Sequence, residues 1–130
     1  MRNQILSLLV LVLTALFGES VIARDFSEAE KEVVENGVKD ELKDPESARF
    51  KWVPVLDGEP SFYCGMVNAK NSYGGYTGDV PFTVFIVWIE GEVKDAGIIG
   101  LGTTDPGSAR SLATYQQCEK HGYDKLYLAE

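Results

Sequence analysis

The sequence predicts a single α+β domain, in which one helix precedes and one helix follows an antiparallel sheet of three to five strands. Two observations predict this fold: amphipathic segments near both ends of the domain, and a central run of β-branched and aromatic residues. A chain of 130 residues, 45% hydrophobic and 25% charged, has the size and composition of one folded domain. We therefore expect one core between the helices and the sheet.

The first helix is predicted over residues 27–43. Ser27 and Glu30 have the spacing of a capping box, in which each side chain bonds the other's backbone amide. Gly37 is a weak point, because glycine costs about 1 kcal/mol relative to alanine inside a helix. Asp44-Pro45 is expected to end the helix, since a residue before proline avoids helical angles. The predicted buried stripe consists of Ala29, Val33, Val34, Val38 and Leu42.

Four segments between the helices have strand character. Residues 50–54 alternate with a period of two, and residues 61–69 are aromatic and apolar. Residues 82–89 form an almost unbroken apolar run, which we expect to be the central strand. A hairpin turn at residues 90–92 leads into a strand at 93–99. The short turns predict antiparallel neighbours.

A second helix is predicted over residues 106–121, with Thr104 or Asp105 as its cap and Pro106 at its first position. Two interpretations of residues 123–128 stay open, a short edge strand and a packed tail. The predicted inner side of the second helix consists of Ala109, Leu112, Ala113 and Gln116, with Tyr115 as a further candidate.

Residues 1–23 have the organisation of a secretory signal peptide. Arg2 gives a positive start, residues 5–17 are uncharged and apolar, and Ala23 offers a small residue at the cleavage site. Cleavage after Ala23 leaves a domain of residues 24–130. The apolar run is shorter than the roughly 20 residues of a membrane span, so we expect no stable span after cleavage. The alternatives are an uncleaved anchor and cleavage at a nearby position. The predicted location is periplasmic or secreted.

The two cysteines of the domain predict one disulfide, between Cys64 and Cys118, because an even count in an oxidising compartment indicates pairing. The alternatives are two buried free thiols or one reactive thiol. His121 follows Cys118 by three residues, so on a helix the two would share a face. A free Cys118 beside His121 would be a candidate nucleophile pair. The disulfide would remove that thiol.

The net charge and the motif search limit the classes of function that we expect. The net charge of −8 would repel a nucleic-acid backbone, so no nucleic-acid partner is expected. We find no recognisable metal-ligand set or catalytic motif, and therefore predict no metal, no cofactor and no catalytic residue. Glu90 and Glu92 are interpreted as a solvated hairpin tip, in preference to an acid/base pair.

The segment 68–78 is the candidate recognition loop. Its glycines permit positive φ, its amides offer donors and acceptors, and its tyrosines offer flat amphipathic surface. This mixture suits sugars or extended peptides. The alternative is a purely structural connection, in which glycines turn the chain and tyrosines cover the sheet edge. The loop lacks the GK[ST] ending of a phosphate-binding P-loop. The candidate binding residues are Asn68, Lys70, Asn71, Tyr73 and Tyr76.

The sequence resembles a known family in three segments, which are residues 42–50 (LKDPESARF), 64–78 (CGMVNAKNSYGGYTG) and 81–82 (PF). The chain resembles a family of small exported bacterial proteins of uncharacterised function, with the motifs LKDPxSAxF and CGxVNAKNxxGGYxG. This resemblance implies an exported bacterial domain and supplies no catalytic residue.

We therefore expect a non-enzymatic binding or envelope-associated module, whose partner is an unknown protein or glycan of the cell envelope. One alternative is a small cell-wall-directed hydrolase or its inhibitor, acting on a polymer such as peptidoglycan. The other is an immunity-type protein, whose acidic charge would attract a basic toxin.

Overall fold

The computed structural model describes residues 24–56 and 60–124, and has the predicted α+β fold. The predicted signal peptide, residues 1–23, and the tail from residue 125 lie outside the described residues. Each strand pairs antiparallel with the next one along the chain, in the order β1-β2-β3-β4. Within the described ranges, neither helix combines the length and apolar character needed to cross a membrane. The elements are α1 (Glu28–Lys39), a 3₁₀ turn (Pro45–Ser47), β1 (Arg49–Lys51), β2 (Phe62–Asn68), β3 (Val80–Ile89), β4 (Glu92–Leu101) and α2 (Ala109–Lys120).

Helix α1 begins as predicted and ends early. The Ser27 hydroxyl accepts the Glu30 N–H at 3.2 Å, and the Glu30 carboxylate accepts the Ser27 N–H at 3.0 Å, so the capping box is confirmed. The prediction that the helix continues to residue 43 is wrong. After Lys39 the amides bond carbonyls three residues back, as Glu41 does to Val38, and these tight turns end the helix before the proline.

The buried side of α1 approaches β4 closely. Val34 and Val38 are fully buried as predicted, whereas Ala29 is exposed. A Cβ added to Gly37 would lie 2.5 Å from the carbonyl oxygen of Ala96 on β4. The glycine that looks unfavourable for the helix is therefore what allows the helix backbone to contact the strand.

The core lies between α1 and one face of the sheet. Tyr63 on β2 is fully buried there; its hydroxyl accepts the Val53 N–H at 3.0 Å and donates to the Val53 carbonyl at 2.7 Å. These two bonds hold the segment that follows β1 against the core. The larger buried side chains of this core are Phe26, Val34, Val38, Val55, Tyr63, Val67, Phe82, Val84 and Ile86.

Helix α2 starts later than predicted. Its N-cap is Ser108, whose hydroxyl accepts the Ser111 N–H at 3.2 Å. Neither Thr104 nor Asp105 caps the helix; the Asp105 carboxylate instead accepts the Gly107 N–H at 2.9 Å in a turn that precedes it. The capping chemistry at Asp105 is real, but it closes a turn rather than a helix.

The inner face of α2 also differs from the prediction, and the disulfide explains why. Cys64 on β2 and Cys118 on α2 are bonded, with a Cα–Cα distance of 5.8 Å, and both are fully buried. Residues three, four and seven positions before Cys118 share its side of the helix and so face the sheet. The predicted inner residues Ala109, Leu112, Ala113 and Gln116 are exposed. The buried residues are Ser111, Thr114, Tyr115 and Cys118.

Strands β3 and β4 form a hairpin with a two-residue loop. Glu90 and Gly91 both have positive φ, 52° and 79°, which is the signature of a type I′ turn. Two shifts of register leave Lys94 and Ile99 without a partner on β3, as in β-bulges.

Candidate functional site

The predicted recognition loop joins β2 to β3, and its asparagines organise it from within. The side-chain oxygen of Asn71 accepts the N–H groups of Tyr73 at 2.9 Å and Gly75 at 3.2 Å. The side-chain oxygen of Asn68 accepts the Gly78 N–H at 3.1 Å. These bonds are the kind expected from the structural interpretation of the loop. The positions of the asparagines therefore set the shape of the loop.

Tyr76 attaches the loop to the segment before β1. Its hydroxyl donates to the Ser47 carbonyl at 2.9 Å, and the Lys70 N–H donates to the Ser47 hydroxyl at 2.9 Å. The guanidinium of Arg49 lies 4.0 Å from the centre of the Tyr76 ring, and the Lys70 ammonium lies 5.6 Å from it. The loop is thus fixed by tertiary contacts, and two cations share one aromatic ring.

Tyr73 differs from the other four candidate residues. It stands at the tip of the loop with 97% of its surface exposed, beside Gly74, whose φ is +82°. An aromatic side chain held so far into solvent buries almost nothing on folding, so it contributes little to the stability of the loop. Single exposed aromatics are common on protein surfaces, and recognition by the tip stays a prediction.

A cleft of about 450 Å³ lies beneath this loop. Its other walls are the segment after α1 (residues 41–43) and the segment after β4 (residues 102–104), which the sequence analysis did not connect with the loop. The volume falls within the range of small-molecule sites. Its apolar lining consists of Leu42, Val67, Ala69 and Val80, and its polar side chains are Glu41, Lys43, Lys70, Asn71, Thr77, Thr103 and Thr104.

The wall formed by residues 102–104 is held in place from both sides. The Thr103 N–H donates to the Ser111 hydroxyl at 2.9 Å, and that hydroxyl donates to the Thr103 carbonyl at 3.1 Å. A Cβ on Gly102 would lie 2.6 Å from the Pro81 ring, so the backbone touches β3. The cleft is therefore bounded by rigid structure on the side opposite the loop.

The charges near the cleft are unusual for an acidic chain. Lys51 is neutralised by Asp79 at 2.6 Å. Lys43, Arg49 and Lys70 have no carboxylate within ion-pair distance in the part of the chain that the structure describes. One carboxylate, that of Glu41, lies on the same rim. Of these three cations, Lys70 lines the loop side of the cleft, Lys43 lines the wall after α1, and Arg49 lies against Tyr76 beside the cleft.

The groups considered for catalysis lie outside the cleft lining. The Cys118 sulfur is bonded to Cys64, so the hypothesis of a Cys118–His121 nucleophile pair is excluded for this state. The His121 ring is stacked on Phe62, with centres 3.9 Å apart. Within residues 24–56 and 60–124 there is no group of three or more His, Cys, Asp or Glu side chains placed to hold a metal ion.

Glu90 and Glu92 are exposed at the β3–β4 hairpin, and Glu92 pairs with Lys94 at 2.6 Å. This arrangement fits a solvated tip.

Fold and cleft together define a disulfide-linked α+β domain with a ligand-sized cleft beneath a fixed loop. The chain matches no family model, and comparison with curated proteins and with solved structures gave no match. Function is therefore inferred from the residues of the cleft.

Proposed function

We propose that the protein is an exported, non-enzymatic binding module of the cell envelope, and that the cleft beneath the 68–78 loop is its ligand site. The observation that carries the proposal is the cleft itself, with an apolar floor and a rim of amide, hydroxyl and ammonium groups. Ligand sites are typically concave and apolar, with a few polar groups that orient the ligand. The ligand is a protein or glycan of the envelope.

Export is supported by three features. The buried disulfide between Cys64 and Cys118 is typical of oxidising compartments, and cytosolic proteins rarely keep such bonds. Residues 1–23 have the signal-peptide pattern, and the loop and pre-β1 motifs resemble those of small exported bacterial proteins. Together they favour a periplasmic or secreted location.

A binding role is favoured over catalysis by what borders the cleft. The side chains there donate hydrogen bonds, carry charge or offer apolar surface, which is sufficient for recognition. The candidate thiol is consumed by the disulfide, and the imidazole of His121 stacks on Phe62. Neither side chain lines the cleft.

The proposal is tested by filling the cleft. Thr104 is an exposed residue of its far wall, so Thr104→Trp would place an indole across it. Ala113→Trp adds the same group on the exposed side of α2 and serves as the matched control. The full-length exported protein and both variants are immobilised and exposed to envelope extract. Retained proteins are identified by mass spectrometry and retained glycans by sugar analysis.

We expect the wild type and Ala113→Trp to retain the same component and Thr104→Trp to lose it. Equal retention by all three would show that the cleft is not the site. Zymography on the retained polymer separates the main alternative, because turnover by the wild type would indicate a hydrolase. A basic toxin as the retained component would indicate the immunity-type alternative.

A further inference from the structure

In the part of the chain that the structure describes, three cations that form no ion pair lie in or next to the recognition loop and the cleft. Five cationic residues in the described ranges form ion pairs with carboxylates: Arg24, Lys31, Lys39, Lys51 and Lys94. Arg49, Lys70 and Lys43 form none there, and neither do Arg110 and Lys120 on α2, although the chain carries 20 acidic residues against 12 basic ones. What sets Arg49 and Lys70 apart from the α2 cations is that both lie against one aromatic ring beside the cleft.

Two of these cations lie against the same aromatic ring. The charged groups of the β1 residue Arg49 and the loop residue Lys70 are 4.0 and 5.6 Å from the centre of the Tyr76 ring. Its hydroxyl is bonded to the Ser47 carbonyl, so the ring cannot swing away without losing that bond. Both charged groups are thereby directed to the surroundings of one ring, where a single anionic ligand can interact with both.

We propose that the cluster of Arg49, Tyr76 and Lys70 binds the oxyanion, carboxylate or phosphate, of an acidic glycan whose sugar chain lies along the adjoining cleft. This inference rests on the proposed binding function and names its ligand class. The planar guanidinium of Arg49 suits bidentate contact with an oxyanion, and Lys70 supplies a mobile point charge. Lys70 also lines the cleft, and thereby connects the cluster to it.

The rest of the cleft favours a glycan over an acidic peptide. The Thr104 hydroxyl and the side-chain NH₂ group of Asn71 border it, and the Thr77 hydroxyl, which donates to the Ala69 carbonyl, keeps its capacity to accept; such groups complement the hydroxyls of a sugar. The exposed ring of Tyr73 at the loop tip offers a flat surface for the apolar face of a sugar ring. Lys43 on the opposite wall allows a second acidic sugar to be held.

The test compares glycans that differ only in charge. Oligogalacturonate carries one carboxylate on each sugar, and its methyl ester is the neutral counterpart. A phosphorylated mannan oligosaccharide presents the other oxyanion, and poly-glutamate presents carboxylates on a peptide. Binding of each probe to the full-length exported protein is measured by calorimetry, with wild type, Arg49→Gln, Lys70→Gln, Thr104→Trp and the control Lys120→Gln. Lys120 is a cation of the last turn of α2 and does not line the cleft.

We expect an acidic oligosaccharide to bind wild type at least about tenfold more tightly than the neutral ester, and Arg49→Gln or Lys70→Gln each to weaken it about tenfold, as for a charged hydrogen bond. Lys120→Gln should change the affinity little. The carboxylate and phosphate probes decide which oxyanion is preferred. Thermal midpoints check that both substitutions, at the exposed Arg49 and the half-buried Lys70, leave the fold intact.

The proposal would be overturned by equal binding of acid and ester, by equal effects of Arg49→Gln and Lys120→Gln, or by failure of both acidic oligosaccharides to bind. Stronger binding of poly-glutamate than of either glycan would also overturn it, in favour of an acidic peptide. Loss of acid and ester alike in Thr104→Trp, with no effect of Arg49→Gln, would retain the cleft as the binding site and reject the anion. The two proposals therefore fail in different ways.

Discussion

The guanidinium of Arg24 holds both carboxylate oxygens of Glu30, at 2.8 and 2.9 Å. Glu30 is 6% exposed, and its carboxylate also accepts the N–H groups of Ser27 and Val93, the latter at 3.1 Å. One buried carboxylate thus joins the segment before α1, the first turn of α1 and strand β4. The hydrogen bond from Arg24 is the main cause that lowers the pKa of Glu30 from 4.5 to about 2, against the opposing effect of burial.

The Glu30 carboxylate should make the free energy of unfolding depend on pH in the acid range. Because its pKa is depressed in the folded state, its contribution is complete above a pH of about 4.5 and is lost as the pH falls towards about 2. We expect Glu30→Gln to lower the free energy of unfolding at neutral pH by on the order of 2 kcal/mol. It should also flatten the acid limb, which is the fall in the free energy of unfolding between a pH of about 4.5 and a pH of about 2. Urea midpoints measured across this pH window test it.

Glu28→Gln is the control for that experiment. Glu28 lies in the same helical turn and is paired with Lys31 at 2.8 Å, but its side chain is 91% exposed. We expect a change within about 0.5 kcal/mol and an unaltered acid limb. Equal acid limbs for wild type and Glu30→Gln would show that Glu30 does not dominate acid unfolding.

The expected effect of Gly37→Ala on stability is opposite in sign to the effect that helix propensity alone predicts. In an isolated helix, Gly37→Ala would gain about 1 kcal/mol. Here the added methyl group would meet the Ala96 carbonyl oxygen at 2.5 Å, so we expect the substitution to destabilise the protein by at least about 1 kcal/mol. Asn36→Ala, at the exposed neighbouring position, should stabilise slightly. A gain in both variants would contradict the close packing of α1 on β4.

The disulfide should contribute a large part of the stability. It closes a separation of 54 residues, which corresponds to about 4 kcal/mol of chain entropy in the unfolded state. We expect the double variant Cys64→Ala, Cys118→Ala to have a much lower urea midpoint while keeping its helical far-UV signal. Labelling of the denatured, unreduced wild type should find no free thiol. Two labelled thiols would refute the bond.

The hairpin between β3 and β4 can be improved. Glu90 occupies a position with φ of 52°, which penalises a residue other than glycine or asparagine by about 1 kcal/mol. We expect Glu90→Asn to raise the free energy of unfolding by about 0.5–1 kcal/mol. Glu90→Ala removes the same charge but keeps the backbone penalty, and should bring no such gain. Calorimetric melting of the two variants distinguishes the effect of turn geometry from that of charge.

Substitutions of the loop residues Asn71 and Tyr73 should affect stability and recognition separately. Asn71→Ala deprives two amides of their acceptor, so we expect a loss of about 1–2 kcal/mol. Tyr73→Ala changes an almost fully exposed side chain, and should alter stability by less than about 0.5 kcal/mol while weakening retention of the envelope component. Denaturant midpoints and binding are measured on the same preparations. Unchanged retention by Tyr73→Ala would restrict the loop to a structural role.

Local patterns predicted the start of α1, the central strand and the hairpin, because each depends on neighbouring residues. The capping box at Ser27 and Glu30 is read directly from spacing. The end of α1 was missed because a series of tight turns, rather than the proline, ended it. The inner face of α2 was missed because the hydrophobic pattern is weak there; helical spacing counted back from Cys118 would have identified it.

The cleft could be predicted only in part. Lys70 and Asn71 belong to a loop whose composition attracted attention, but Lys43 and Thr104 reach the same cleft from distant parts of the chain. Their meeting depends on how far α1 extends and where the segment after β4 is fixed, which no local pattern contains. The contact of Tyr76 with Ser47 is likewise a tertiary event.

The bulges at Lys94 and Ile99 lie on the strand through which one molecule could associate edge to edge with another. In the described part of the chain β4 has no strand on its outer side, and side chains occupy two of its amides: the Val93 N–H donates to Glu30 and the Ala96 N–H to Asp95. A flat, open edge ten residues long would add strands from other molecules and grow into aggregates. Two interruptions and the ammonium of Lys94 break the edge into short pieces that a foreign strand cannot follow. The same irregularities therefore protect solubility in a crowded compartment.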